Sequence, residues 1–160
     1  MIGMVNSNTH DPLETFQGMR MKKKILLISL FFSLTSLSSA VFSTPSPPGA
    51  AAYIISPAHG EIVTNPVTIK FGLSGMGVAP AGMNKINTGH HHLLIDLENL
   101  PPAKKAIPKD ANHRHFGGGQ TEVTLDLTPG THTLQLLLGD MAHIPHHPAI
   151  ISEKITITVK

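Results

Sequence analysis

Histidine is the residue type in this chain most able to do chemistry. Eleven histidines occur in 160 residues, and ten of them lie beyond residue 40. They are grouped. His90, His91 and His92 are consecutive, His113 and His115 are two apart, and His143, His146 and His147 share a short segment with Asp140 and Met141. On a strand, residues i and i+2 project to one face, so His90/His92 and His113/His115 can each present two imidazoles together. Neutral imidazole is the commonest metal ligand near neutral pH. The chain has no cysteine, which excludes disulfides, thiol chemistry and thiolate metal sites. An imidazole cluster with a carboxylate and nearby thioethers suits copper best, and zinc or nickel next. The expected ligand set is therefore His90, His91, His92, His113, His115, Asp140, His143 and His146, with no organic cofactor.

Other chemistries find little support. Ser74 lies in Gly72-Leu73-Ser74-Gly75-Met76, where a nucleophile elbow needs glycine in place of the methionine. No His-Glu-x-x-His or dinucleotide fingerprint is present. Gly117-Gly118-Gly119 has no strand–loop–helix context, so it is not read as a phosphate loop. We expect no enzymatic activity. His91 shares a strand face with Leu93 and Ile95, which also gives it a core reading. His132, on the face of Leu134 and Leu136, reads as structural, and His59 as a turn residue. Met76 and Met83 read as loop packing.

The elements that must position these side chains are strands. Apolar residues alternate at Val67, Ile69, Phe71 and Leu73, at Val123, Leu125 and Leu127, at Leu134, Leu136 and Leu138, and at Ile155, Ile157 and Val159, which is the two-residue period of a half-buried strand. Ala51–Ile55 and His91–Leu97 complete the stronger set, and 112–116 is a weaker candidate. No helical period competes. Seven strands broken by turns roughly every ten residues predict an all-β, immunoglobulin-like antiparallel β-sandwich of about seven strands. In that arrangement the loops 74–90 and 139–151 and the turn after 116 share one pole, which gathers the grouped histidines. Long loops in a compact domain are commonly functional.

The N-terminal part differs in kind. Lys22-Lys23-Lys24, the apolar run Ile25–Leu37 and then Ser38-Ser39-Ala40 have the form of a secretory signal peptide. The run is too short to span a bilayer as a helix. We expect an upstream extension plus signal over 1–40, a Pro-rich leader over 41–50 that is extended or disordered, and a single β-sandwich domain over 51–160. Cleavage near Ala40 would leave a periplasmic or secreted protein without a transmembrane span. Residues 41–160 hold eight Lys+Arg and eight Asp+Glu, so the basic balance belongs to the signal. A neutral surface with few aromatics argues against nucleic acid.

At these same segments the chain resembles a bacterial exported family catalogued as domain of unknown function 4399. The strings are Ile55-Ser56-Pro57-Ala58-His59-Gly60, the run Val67 to Pro80, Gly89 to Asp96 (GHHHLLID), His115 to Glu122 (HFGGGQTE), Pro129 to Asp140, and His143-Ile144-Pro145-His146. The resemblance implies a soluble β-sandwich and brings no established activity; some members carry a rod-shape-determining label. His147 lies outside the family pattern, and similar sequences often carry Asp where His59 stands. The Ser-Pro-x-x-Gly opening is also loosely similar to periplasmic copper carriers, whose ligand motifs do not transfer here. The functional expectation is metal binding, copper first, through a histidine-rich pole. The alternative is a non-catalytic adhesion module whose histidines knit the loops and contact a cell-envelope protein. With ordinary histidine pKa values near 6.5, metal affinity should fall steeply between about pH 7.5 and 5.

Overall fold

The computed structural model describes residues 43–160. The extension and signal expected over 1–40 lie outside the described residues. Among those described there is no helix; nine strands run in chain order as β1 (Ala51–Ser56), β2 (Ile62–Val63), β3 (Val67–Ser74), β4 (Gly77–Val78), β5 (Thr88–Ile95), β6 (His113–His115), β7 (Glu122–Leu125), β8 (Gly130–Gly139) and β9 (Ile155–Val159). No helix of the described residues is long and apolar enough to cross a membrane.

The alternation in the sequence becomes two sheets facing one core. A three-stranded antiparallel sheet has the order β1-β3-β7, and a larger sheet has the order β2-β9-β8-β5-β4, with β6 beside β5. β3 shows how the period works: Val67, Ile69 and Phe71 are buried while Thr68 and Lys70 are exposed. Across the gap, Leu93, Ile95, Leu134, Leu136, Leu138, Ile157 and Val159 complete the same apolar cluster. Burial of such side chains stabilises by about 1.5–3 kcal/mol each.

The strand count and the purely antiparallel pairing are corrected. β2 and β4 add two strands that two residues are too few to announce. Each pairs in parallel, β2 with β9 and β4 with β5, so the larger sheet is mixed and not purely antiparallel. An immunoglobulin-type sandwich sets its fourth strand beside its fifth, whereas here β6 pairs with β5, His115 opposite His92. The leader is extended where it is described, and it is docked. Pro45 forms a parallel bridge with His147, the Thr44 carbonyl accepts from the His147 N–H, and the Ser46 N–H donates to the His147 carbonyl. Free backbone groups in an extended segment were satisfied by a neighbouring loop, which is the general demand on buried main chain.

β5 is the strand that matters for function. It lies inside the larger sheet and is buried from Gly89 to Ile95, one face against the other sheet and the second under the chain's loops. That second face has its own small apolar cluster of Leu94, Leu137 and Ile107. The pairing of His90 with Gly139 on β8 puts the start of β5 and the end of β8 at one end of the molecule, so the loops before and after them do share a pole.

Candidate metal centre on the covered face of β5

The pleat separates the three consecutive histidines. His91 points into the core, where its ring stands 5.3 Å from that of Phe71. His90 and His92 project to the opposite face, where the loops cover them, and each is 0% exposed. Two further imidazoles reach the same spot. His115 arrives from β6, directly opposite His92. His143 arrives from the β8–β9 loop. Ring centroids are 4.9 Å apart for His90–His92, 5.0 Å for His90–His115, 5.1 Å for His92–His115, 5.0 Å for His90–His143 and 4.7 Å for His115–His143.

The ligand atoms of His90, His92 and His115 lie within 4.8 Å of one another, a set that could hold a metal ion. The Nε2 atoms of His90 and His92 are 3.1 Å apart, and one of them must carry the hydrogen of that bond. Two nitrogens bound to one ion at about 2.0–2.1 Å would stand roughly 2.9 Å apart at a right angle and about 3.4 Å apart at the tetrahedral angle. The observed spacing falls between those values. Nδ1 of His90, Nδ1 of His92 and Nε2 of His115 are buried and have no hydrogen-bond partner, and an unpaired buried polar atom costs about 1–3 kcal/mol.

Electrostatics keep these rings neutral. Burial pushes the His90 imidazole down to about 4, reinforced by His143 and His115 and partly offset by Asp140. Burial, then His90, His115 and His143, take His92 down to about 3. His115 is lowered by burial, then by His143 and Lys109. His91, deep in the core, falls to about 4 through burial. Neutral imidazole is the form that donates a lone pair.

Two glycines make room. A Cβ on Gly139 would come to 2.9 Å from His92 Nε2, and one on Gly117 would run into the His115 ring. Neither role was legible from spacing; only the pairing of Gly139 with His90 reveals it.

Three of the eight expected ligands thus bring their ligand atoms together, a fourth, His143, sets its ring 4.7–6.1 Å from theirs, and four do not converge. His91 is on the wrong face of β5. His113 shares a face with His115, but its Nδ1 is held by Asp110 at 2.8 Å. Asp140 is buried and spends its Oδ1 on the N–H groups of Ala142 and Ile144, at 2.9 and 3.0 Å, while its Oδ2 accepts more distantly from Thr44. Its carbonyl accepts from the His143 N–H, and His143 sits at φ +67°. Asp140 therefore shapes the turn that carries His143. His146 turns away to Thr44, Oγ1 to Nδ1 2.7 Å. The residues read as structural stay outside the cluster. His132 binds Asp96 Oδ2 at 2.7 Å, and His59 Nδ1 accepts from the Thr156 N–H.

A family model described as Domain of unknown function (DUF4399) matches residues 69–160, the stretch that carries all four converging histidines. No curated protein and no solved structure matches the chain.

Proposed function

The chain belongs to the DUF4399 family, and for this member we propose transition-metal binding, through His90, His92, His115 and His143, by an exported immunoglobulin-like β-sandwich. The observation that carries the reading is the convergence of ligand atoms of His90, His92 and His115 within 4.8 Å, with a 3.1 Å Nε2–Nε2 approach between the first two. One ion there would take the Nε2 lone pairs of His90 and His92, each ring then carrying its hydrogen on Nδ1. Copper is favoured because nitrogen-only sites bind divalent copper more tightly than zinc or nickel. His91, His113, Asp140 and His146 drop out as ligands; Asp140 sets the His143 turn. The strand partition β1-β3-β7 against β9-β8-β5 supports the immunoglobulin-like reading, with β6 displaced. The lysines 22–24, the apolar run after them and Ser38-Ser39-Ala40 support export to the periplasm or beyond.

The competing adhesion-module reading needs histidines that knit loops by hydrogen bonds. Within the cluster the His90–His92 contact is the hydrogen bond present; the pole loops are tied outside it, by Asp140 and by the Thr44–His146 contact. That favours the ion. Metal content of protein purified without an affinity tag, followed by titration with copper, zinc and nickel at pH 7.5, tests it. One tightly held equivalent, lost in the His92→Ala/His143→Ala double variant, is expected. No binding of any of the three ions would hand the case to the adhesion module.

A further inference from the structure

Two of the four converging histidines rest on residues that the leader holds. Thr44 Oγ1 stands 2.7 Å from His146 Nδ1. The His146 ring is buried and its Nε2 packs over Gly89, where a Cβ would come to 2.8 Å. Gly89 immediately precedes His90. The Thr44 N–H and hydroxyl also reach Asp140 Oδ2, each at 3.4 Å, while Asp140 Oδ1 and the Asp140 carbonyl fix the turn that carries His143. The backbone fastens the same segment. The His147 N–H donates to the Thr44 carbonyl at 3.0 Å and the Ser46 N–H to the His147 carbonyl at 3.2 Å. The Ser46 hydroxyl donates to the Pro148 carbonyl at 2.8 Å. Residues 44–46 are thus a strap, connected through His146 to the segment before His90 and through Asp140 to the turn of His143.

We propose that this strap is a latch coupled to the histidine cluster: docking of residues 44–46 and occupation of His90, His92, His115 and His143 by an ion favour each other. The inference rests on the metal-binding reading. An ion holds His90 and His143 in one arrangement, and that arrangement sets Gly89 beneath His146 and turns Asp140 towards Thr44. The docked strap in turn removes other arrangements of the loop before the ion arrives, so less ordering is left to binding. Such coupling is reciprocal by necessity: the factor that the strap adds to ion affinity is the factor that the ion adds to strap docking. The strap itself is held by a few hydrogen bonds, with Pro45 and Pro48 exposed, so it belongs to the part of the molecule that opens locally. Cutting or displacing the leader would loosen the grip on the ion, and loss of the ion would free the leader.

The test is amide hydrogen exchange on the full chain with and without saturating Zn(II), beside Zn(II) titration by chelator competition. Zn(II) should slow exchange of the Ser46 and His147 N–H groups at least fivefold, the lower end of ordinary coupling between sites. The Gly60 N–H donates to the Thr156 carbonyl, opposite Thr133 and away from the pole, and should be slowed much less. Thr44→Val/Ser46→Ala removes both strap hydroxyls and should weaken Zn(II) binding by a similar factor. A strap that only stabilises the fold would lower the melting temperature of that variant and leave its Zn(II) affinity unchanged. Unchanged affinity there, or Zn(II) binding that leaves Ser46 and His147 exchange as it was, overturns the latch while the histidine-cluster reading stands. A wild-type chain that binds neither Zn(II), copper nor nickel removes the cluster reading and the latch with it, an outcome that the titration shows by itself.

Discussion

At the scale of the residue, burial changes what protons can do to the site. His90 titrates at about 4 and His92 at about 3, so neither competes with an ion between pH 7.5 and 5. The steep fall expected from ordinary histidines should move to lower pH. Zinc affinity measured by chelator competition is expected to decline gently to about pH 5 and sharply below it; a hundredfold loss already at pH 6 would count against this ligand set. Burial also sets what each histidine contributes to stability. His143 is half-buried, and His143→Ala should lower metal affinity with little change in melting temperature. His92 is fully buried, and His92→Ala should lower affinity and also destabilise by about 2 kcal/mol or more through the space it leaves. Thermal denaturation beside metal titration of the two single variants separates these effects.

At the scale of the element, β5 and β8 carry both the fold and the site on opposite faces. Leu136, 0% exposed, faces the core, and Leu136→Ala should cost about 2–5 kcal/mol in chemical denaturation while the site geometry survives. Gly139 does the reverse. Gly139→Ala places a methyl group against His92 Nε2 and should weaken metal binding at least tenfold, a loss of about 1.4 kcal/mol. Equal affinity in that variant would mean that His92 does not ligate. These elements also mark how far the sequence could be read. The period of two in β3, β7, β8 and β9 is a direct record of one buried face, so those strands were legible. The i, i+2 rule paired His90 with His92 for the same reason. It could not tell that His113 is taken by Asp110, because that depends on a short turn. Nor could it show Asp140 shaping the His143 turn, a loop conformation with no periodicity to betray it. β2 and β4 were hidden by length, and the docking of the leader by its dependence on a segment about a hundred residues away.

For the whole molecule, the depressed histidines make stability depend on pH. The unfolded chain binds protons at these positions near pH 6.5, while folded His90, His91 and His92 resist them down to about 4, 4 and 3. The unfolded state therefore holds more protons between those values, and stability must fall as pH drops from about 6.5 towards 4. His132 acts oppositely. Burial lowers its proton affinity, but the hydrogen bonds to Asp96 and to the Thr128 carbonyl raise it overall, so its contribution is present below pH 6.5 and fades as pH rises through its folded value. Three rings with lowered proton affinity against one with raised affinity should leave a net acid destabilisation. Melting temperatures of ion-free protein from pH 7.5 to 4 check the sign, and added zinc should raise them at pH 7.5 by mass action.

The strap formed by Thr44 and Ser46 has a consequence in time. Thr44 meets Asp140 and His146 across 96 and 102 residues, so the pole joins the first described residues to nearly the last. Contacts of such separation close late in folding. A nascent chain would hold His90, His92 and His115 long before it owned His143, and three donors without the fourth and its clamp make a looser grip. An ion that demands all four would thereby bind finished chains in preference to unfinished ones.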